Sequence, residues 1–282
     1  MAKDQVKGIP FTKMSGAGND FIVIDNREGL LSELDLSELA KKVCVRRKSV
    51  GADGLASVDR SATADLKMRL INPDGSEAEM CGNLARCIAS FALRHGIAEE
   101  QMLIETLGGP VEAWVKGKEV RLKLKVSEEP RLNQVLDIDG RSLIVYSMRV
   151  NGVPHTVLYK GGLETVNPDE IYGLGRKIRF HPSFPEGTNV NFTEVMDDHI
   201  IWVRTYERGV EAETLACGTG SAAATMISAL LGKVCSPVTV KTLGGKLTVY
   251  FKRDGALFSE IYLAGDARYI VEGVLLPEAY NY

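Results

Sequence analysis

The 282-residue sequence predicts an α+β protein of two pseudo-symmetric lobes, each a mostly antiparallel, curved sheet wrapped around a central helix. Three observations predict it. First, short motifs recur at one spacing. Cys81-Gly82 returns as Cys217-Gly218, an offset of 136 (217 − 81), and TLGG at Thr106–Gly109 returns at Thr242–Gly245 at the same offset (242 − 106). EAEMCG from Glu77 matches ETLACG from Glu213, and GNDFIVID from Gly18 aligns loosely with PHTVLYK from Pro154, each again 136 apart (213 − 77; 154 − 18). Matches in order at one offset near half the length signify two copies of one fold. Second, short strand-like runs separated by turn residues dominate both halves. Third, each half carries a helical run that opens on Cys-Gly and stops at a glycine.

The elements follow in order. FIVID and LKMRLI read as strands, and DLSELAKKVCV between them as an amphipathic helix. The loop NPDGSEAEM leads into a helix from about Cys81 to Arg94, ended by Gly96. MLIET, a Gly-Gly turn, VEAWV and VRLKLK then form a meander. EEPRLNQ, near residue 130, reads as the linker, so the first lobe is 1–130. The second opens with SLIVYSMRV, an Asn-Gly turn and HTVLYK, followed by a helix in DEIYGLGRKI. VNFTEV and IIWVRTYE precede a helix from about Cys217 to Leu231, ended by Gly232. VTVKTL, a second Gly-Gly, KLTVYFK, FSEIYLAG and YIVEGVLL finish as strands.

Bulk properties narrow the function. A formal net charge of −3 gives no reason to expect a nucleic-acid partner. The basic run Lys41, Lys42, Arg46, Arg47 and Lys48 reads as a solvated helix face. No run approaches a membrane span, and MAKDQVKGIPFTK has no apolar segment of a signal peptide. Five cysteines, an odd number, point to reduced thiols in the cytoplasm. Four histidines without a tight Cys/His cluster argue against zinc.

The two Cys-Gly helix starts carry the chemistry. A helix N-terminus offers unpaired N–H groups and partial positive charge, so it attracts carboxylates and lowers the pKa of a thiol placed there. Gly82-Asn83 and Gly218-Thr219 leave the first turns open to a ligand. If the helix starts face one another, a carboxylate sits between them with a thiol on each side. That arrangement suits inversion at the carbon beside a carboxylate: one thiolate removes the proton and the other thiol delivers one to the opposite face. The developing enediolate is stabilised by both helix starts in a water-poor site, with no metal or pyridoxal cofactor required. Plainer readings stand beside this one. A cysteine next to a helix is more often a small buried hydrophobe, as Cys44, Cys87 and Cys235 are expected to be. Cys81 and Cys217 could instead form a redox-sensing disulfide.

GAGNDF (Gly16–Phe21), NPDGSEAEMCGN (Asn72–Asn83), HPSFPEGTNVNF (His181–Phe192), ERG (Glu207–Gly209) and ETLACGTG (Glu213–Gly220) together resemble diaminopimelate epimerases, in that family's order and over nearly the whole chain. The resemblance implies a cofactor-independent two-cysteine epimerase that interconverts LL- and meso-diaminopimelate for lysine and peptidoglycan synthesis. It implies a small amino-acid substrate, no nucleic acid or membrane partner, and a homodimer. It also implies that the tail, residues 270–282, returns to the first lobe, leaving 131–269 as the second. Cys81 and Cys217 match the catalytic thiols, and Gly82, Asn83, Gly218 and Thr219 the groups holding the reacting carboxylate. His155 and Glu207 match residues that contact the reacting amino group and tune the thiols. Asn19, Asn72, Asn189 and Arg208 match substrate-holding residues, with Arg208 the fork for the distant carboxylate. Taken singly, each has a plainer role: turn caps at Asn19 and Asn72, loop satisfaction at Asn189, a core histidine at His155, a surface pair at Glu207-Arg208.

Three positions depart from the family pattern. Val153 stands where an Asn usually precedes Pro-His, Leu84 replaces the glycine of Cys-Gly-Asn-Gly, and Glu211 bulks out the RGVEAET loop. A lost hydrogen bond in a polar pocket shifts selectivity. A related racemase of another amino acid is therefore one alternative, and a non-catalytic thiol switch or ligand-binding protein on the same lobes is another.

Overall fold

The computed structural model describes residues 8–126 and 128–282. The first half runs β1 (Ile9–Gly16), β2 (Asn19–Asp25), α1 (Leu36–Val43), β3 (Gly54–Asp59), β4 (Leu66–Ile71), β5 (Glu77–Ala78), α2 (Gly82–Arg94), β6 (Gln101–Glu105), β7 (Val111–Lys116) and β8 (Glu119–Lys123). The second runs β9 (Arg131–Ile138), β10 (Arg141–Val150), β11 (Val153–Tyr159), α3 (Pro168–Arg179), β12 (Asn189–Asp197), β13 (Ile200–Glu207), β14 (Ala212–Thr214), α4 (Gly218–Leu230), β15 (Val238–Thr242), β16 (Gly245–Asp254), β17 (Leu257–Asp266) and β18 (Arg268–Leu275). The protein is α+β, as its sequence predicts, and α2 and α4 are offset by 136 at both ends (218 − 82; 230 − 94).

Two compact units emerge: residues up to Leu122 together with Asp266–Tyr282, and Lys123–Gly265. The sequence boundaries lay at 130 and 270. EEPRLNQ is not simply a linker, because Arg131 opens β9, which pairs with β10. Its mostly exposed pattern hid an edge strand.

Each unit repeats one topology. In the first, β1–β2, β3–β4, β4–β5, β6–β7 and β7–β8 are antiparallel, while β2–β3 and β4–β6 are parallel. In the second, β10–β11, β12–β13, β13–β14, β15–β16 and β16–β17 are antiparallel, while β11–β12 and β13–β15 are parallel. The ninth strand of each repeat serves the other one's sheet: β9 pairs with β10, and β18 returns to pair with β1.

The two central helices differ in how they are buried. α2 is amphipathic and lies on β1, β2, β4, β6 and β7, its Leu84, Ala85, Ile88, Ala89 and Ala92 fully buried. α4 is buried almost all round, and its run of Ser221, Ala222, Ala223 and Ala224 lets strands approach closely. The shorter amphipathic helices face separate clusters, α1 through Leu39, Ala40 and Val43, and α3 through Ile171 and Ile178. No helix among the described residues is long and apolar enough to cross a membrane.

Candidate active site

α2 and α4 start unlike the other two helices. Asp35 caps α1 by accepting from the Ser37 and Glu38 amides, and Asn167 caps α3 through the Asp169 amide. Glu38, and Asp169 with Glu170, add negative charge in those first turns. Cys81 and Cys217 occupy the cap positions of α2 and α4 in extended conformation, yet neither side chain makes a capping hydrogen bond, and neither first turn carries an acid. The positive ends of these two helices therefore meet no carboxylate of their own first turns.

The repeated TLGG turn explains part of this. Thr106 Oγ1 donates to the Gly109 carbonyl (2.6 Å), and Thr242 Oγ1 to that of Gly245 (2.9 Å). Each folded turn then sends one amide to the residue that follows the short strand before a thiol: Gly108 N–H to the Glu79 carbonyl (2.8 Å) and Gly244 N–H to that of Leu215 (2.7 Å). Both acceptors lie two residues before a cysteine.

In the first unit Cys81 is half-buried, with its S–H directed to Asn19 Oδ1 at 3.8 Å. Asn19 Nδ2 donates to Asp53 Oδ2 (2.6 Å). Because a carboxylate only accepts, this bond turns the amide oxygen toward the thiol. Asp53 is held by the Asp20 amide (3.1 Å) and by Arg46, which also grips Asp20. Lys13 joins the network through Asp20 and the Gly51 carbonyl. Burial would raise the Asp20 carboxyl, but bonds from Arg46 and Lys13 prevail and hold it below its ordinary value. Under α2, the fully buried Arg86 donates to Asn83 Oδ1 (2.9 Å) and the Gly82 carbonyl (3.3 Å), tightening the first turn. Its desolvation lowers its pKa. Asn72 accepts at its carbonyl from Gly75 and donates to Ser76 Oγ (3.0 Å), which is turn chemistry.

Gly16 leaves room for the same helix start. A Cβ there would lie 2.7 Å from the Asn83 carbonyl oxygen and 3.3 Å from Cys87 Sγ. A backbone oxygen cannot yield without moving α2. Gly16→Ala is expected to cost about 1–3 kcal/mol of stability and to lower kcat by roughly tenfold or more through the displaced thiol. Thermal unfolding and steady-state kinetics check this, and wild-type values in both would contradict it.

In the second unit Cys217 is buried, 3.7 Å from Thr219 Oγ1. Glu207 accepts from Thr214 Oγ1 (2.8 Å), and burial pushes its carboxyl up. Arg208 offers its backbone N–H to Asn189 Oδ1 (2.7 Å) and its guanidinium to the Glu186 carbonyl (3.2 Å). Glu207 and Arg208 therefore face different partners and are not a surface pair. His155 is buried on β11; burial and then the Arg208 charge lower its pKa to about 3. Its Nε2 is buried without a hydrogen-bond partner among the described residues.

The neutrality of His155 has a consequence for stability. An unfolded histidine titrates near 6.5, the folded one near 3, so between those values the unfolded chain binds more protons. Stability from this group is present above 6.5 and is lost as pH falls toward 3. Unfolding midpoints measured across this window should fall more steeply for the wild type than for His155→Gln. Parallel curves would contradict a neutral buried imidazole.

The remaining thiols divide. Cys44 and Cys87 are buried, and burial pushes both up to about 12, as befits small hydrophobes. Cys235 does not fit that expectation: it is exposed, beyond the end of α4, where its carbonyl lies 2.9 Å from His199 Nδ1.

The family model for diaminopimelate epimerase matches residues 11–128 and 148–270. The chain belongs to the diaminopimelate epimerase family. It is 42% identical to the diaminopimelate epimerase of Caldanaerobacter subterraneus over 281 residues, covering 93% of this chain and 98% of that one. It is also 42% identical to that of Archaeoglobus fulgidus over 280 residues, 95% and 96% of the two chains. Among solved structures, a phenazine biosynthesis protein of the PhzF family from Bacillus anthracis shares the fold at 17% identity, with a TM-score of 0.72 over 96% of this chain and 99% of that one.

The departures from the family pattern now have locations. Leu84 is fully buried, so its bulk is taken up by the hydrophobic core around α2. Glu211 sits at φ 57 in the β13–β14 turn, bonded to Arg179 and to the Gly209 amide. Val153 is half-buried at the start of β11, paired with Val150. Asp53, Arg86 and Asn191 were not singled out in the sequence. The 136 spacing carried a signal for the first. Asn19 and His155, Asn72 and Arg208, and Asp53 and Asn189 are all so separated (155 − 19; 208 − 72; 189 − 53), making Asp53 the counterpart of a candidate residue.

Proposed function

We propose that this chain inverts an α-carbon of diaminopimelate, interconverting the LL and meso isomers without a cofactor, with Cys81 and Cys217 as the two proton carriers. The observation that carries the reading is the pair of thiol-led helices whose positive ends have neither capping side chain nor acid. A substrate carboxylate supplies the missing negative charge, and the same N–H groups stabilise the enediolate as it forms. One thiolate removes the Cα proton, and the opposite thiol delivers its own to the other face. With Asn19 Oδ1 accepting from Cys81, that thiol carries its proton, while Cys217 lies beside a Thr219 hydroxyl able to donate to a thiolate. In this state Cys217 is the base and Cys81 the acid; the reverse reaction exchanges the roles. Glu207 serves the reacting amino group, and Arg208 clamps the distant carboxylate, with Asn189 holding the Arg208 backbone. Asn72 completes the polar wall. The relatives' names support this substrate; its place in lysine and peptidoglycan synthesis, in the cytoplasm and as a homodimer, is proposed on the family resemblance.

Val153 favours one second reading. An apolar side chain at that position removes a hydrogen bond from the far end of the substrate, so a related amino acid could be preferred. Proton NMR in deuterated water with a panel of amino acids separates the two. Loss of the Cα–H signal from diaminopimelate alone supports the proposal. Exchange only with another amino acid keeps the thiols and moves the substrate. No exchange with any would end both readings.

A further inference from the structure

His155 and Asn191 together fix a proton that the two-thiol scheme leaves unassigned. Asn191 is fully buried on β12, opposite Thr205 on β13. Its Oδ1 accepts from Thr205 Oγ1 (2.9 Å), and its Nδ2 donates to the Thr156 carbonyl (3.1 Å). A carbonyl only accepts, so the atom facing it is the amide nitrogen; the chemistry determines which way the amide points. The same Nδ2 lies 3.4 Å from His155 Nδ1. An NH2 group facing Nδ1 requires a lone pair there. A neutral imidazole has one proton, which then resides on Nε2. That Nε2 is one of three buried side-chain polar atoms without a partner among the described residues, with Ser49 Oγ and Trp202 Nε1. Gly220, in the first turn of α4, makes room for the arrangement: a Cβ there would lie 2.2 Å from Asn191 Oδ1 and 3.2 Å from Cys217 Sγ.

We infer that Asn191 is a positioning residue that holds His155 as its Nε2–H tautomer, making His155 a neutral hydrogen-bond donor to a carboxylate oxygen of the bound amino acid. A buried N–H without an acceptor is costly, and a ligand oxygen removes that cost. An ammonium group offers no acceptor, so the substrate's amino group, which the family resemblance assigns to His155, does not meet Nε2 while protonated. The tautomer stands on the protein alone; the identity of the acceptor rests on the proposed function.

Long-range proton–nitrogen NMR on histidine-labelled protein tests both parts, the His155 signals being those lost in His155→Gln. At neutral pH, Nε2 should show the shift of a protonated nitrogen and Nδ1 that of a lone-pair nitrogen. The opposite pattern overturns the tautomer. Asn191→Asp replaces the donor with an ionised acceptor, which should move the proton to Nδ1 and lower kcat by about 10²-fold; a folded variant with an unmoved tautomer overturns the positioning role. If that variant does not fold, the wild-type spectrum still decides the tautomer. On adding diaminopimelate, the Nε2 proton should shift downfield. An unmoved signal while Cα exchange proceeds overturns the donor role and leaves the proposed function standing. Absence of Cα exchange instead counts against the proposed function and leaves the tautomer standing.

Discussion

Cys81→Ala and Cys217→Ala should each lower kcat for epimerisation by about 10³–10⁴-fold or more, with little change in fold. General acid and general base contribute on the order of 10²–10⁴-fold each, and here each thiol must do one task in either direction. Neither cysteine side chain caps its helix, so truncation to alanine removes no capping bond. Groups that work as a unit are non-additive, so the double variant should be scarcely slower than either single one. Full activity in the double variant would remove the thiols from the mechanism. Circular dichroism and thermal unfolding of the same variants separate lost chemistry from lost structure. Joining Cys81 to Cys217 by oxidation should likewise abolish turnover, reversibly with reductant, because it removes the acid and the base together.

Arg208→Lys should raise KM for diaminopimelate by about tenfold to a hundredfold while kcat falls less. A guanidinium binds a carboxylate through two parallel N–H bonds, whereas an ammonium offers a point charge. The loss of one charge-assisted bond is about 1.5–3 kcal/mol, which corresponds to this range. The guanidinium contacts the Glu186 carbonyl and the backbone N–H is held by Asn189, so residue 208 is anchored through both its side chain and its backbone. Lysine would keep the backbone bond and lose the fork. An unchanged KM would show that the distant carboxylate is held elsewhere, and with it the two-ended substrate would lose its main support.

Much of the fold was legible because it is repeated. Both central helices, both flanking helices and most strands follow from hydrophobic pattern and turn residues, and the two Cys-Gly starts mark the helix ends. β3 was not legible: its GLASVD run is buried on nearly every residue and built of small side chains, so it shows no alternation. β9 was read as a linker because an exposed edge strand and a polar linker have the same composition. The exchange of ninth strands between the repeats depends on long-range pairing, which local pattern does not encode. Family resemblance located the thiols, Glu207 and Arg208, but not their supports. Asp53 acts through Asn19 across the β2–β3 pair, and Asn191 through His155 across β11–β12. Such partners are set by strand register, so they emerge only once the strands are aligned.

The most direct test of two thiols acting on opposite faces is the isotope content of both isomers early in the reaction. LL-diaminopimelate is incubated with reduced protein in deuterated water and stopped at low conversion. Meso product should carry deuterium at the inverted carbon, while recovered LL substrate remains protiated. Product that retains protium at that carbon, or deuterium appearing equally in recovered substrate, would mean that one group both takes and returns the proton, and would contradict the two-thiol mechanism.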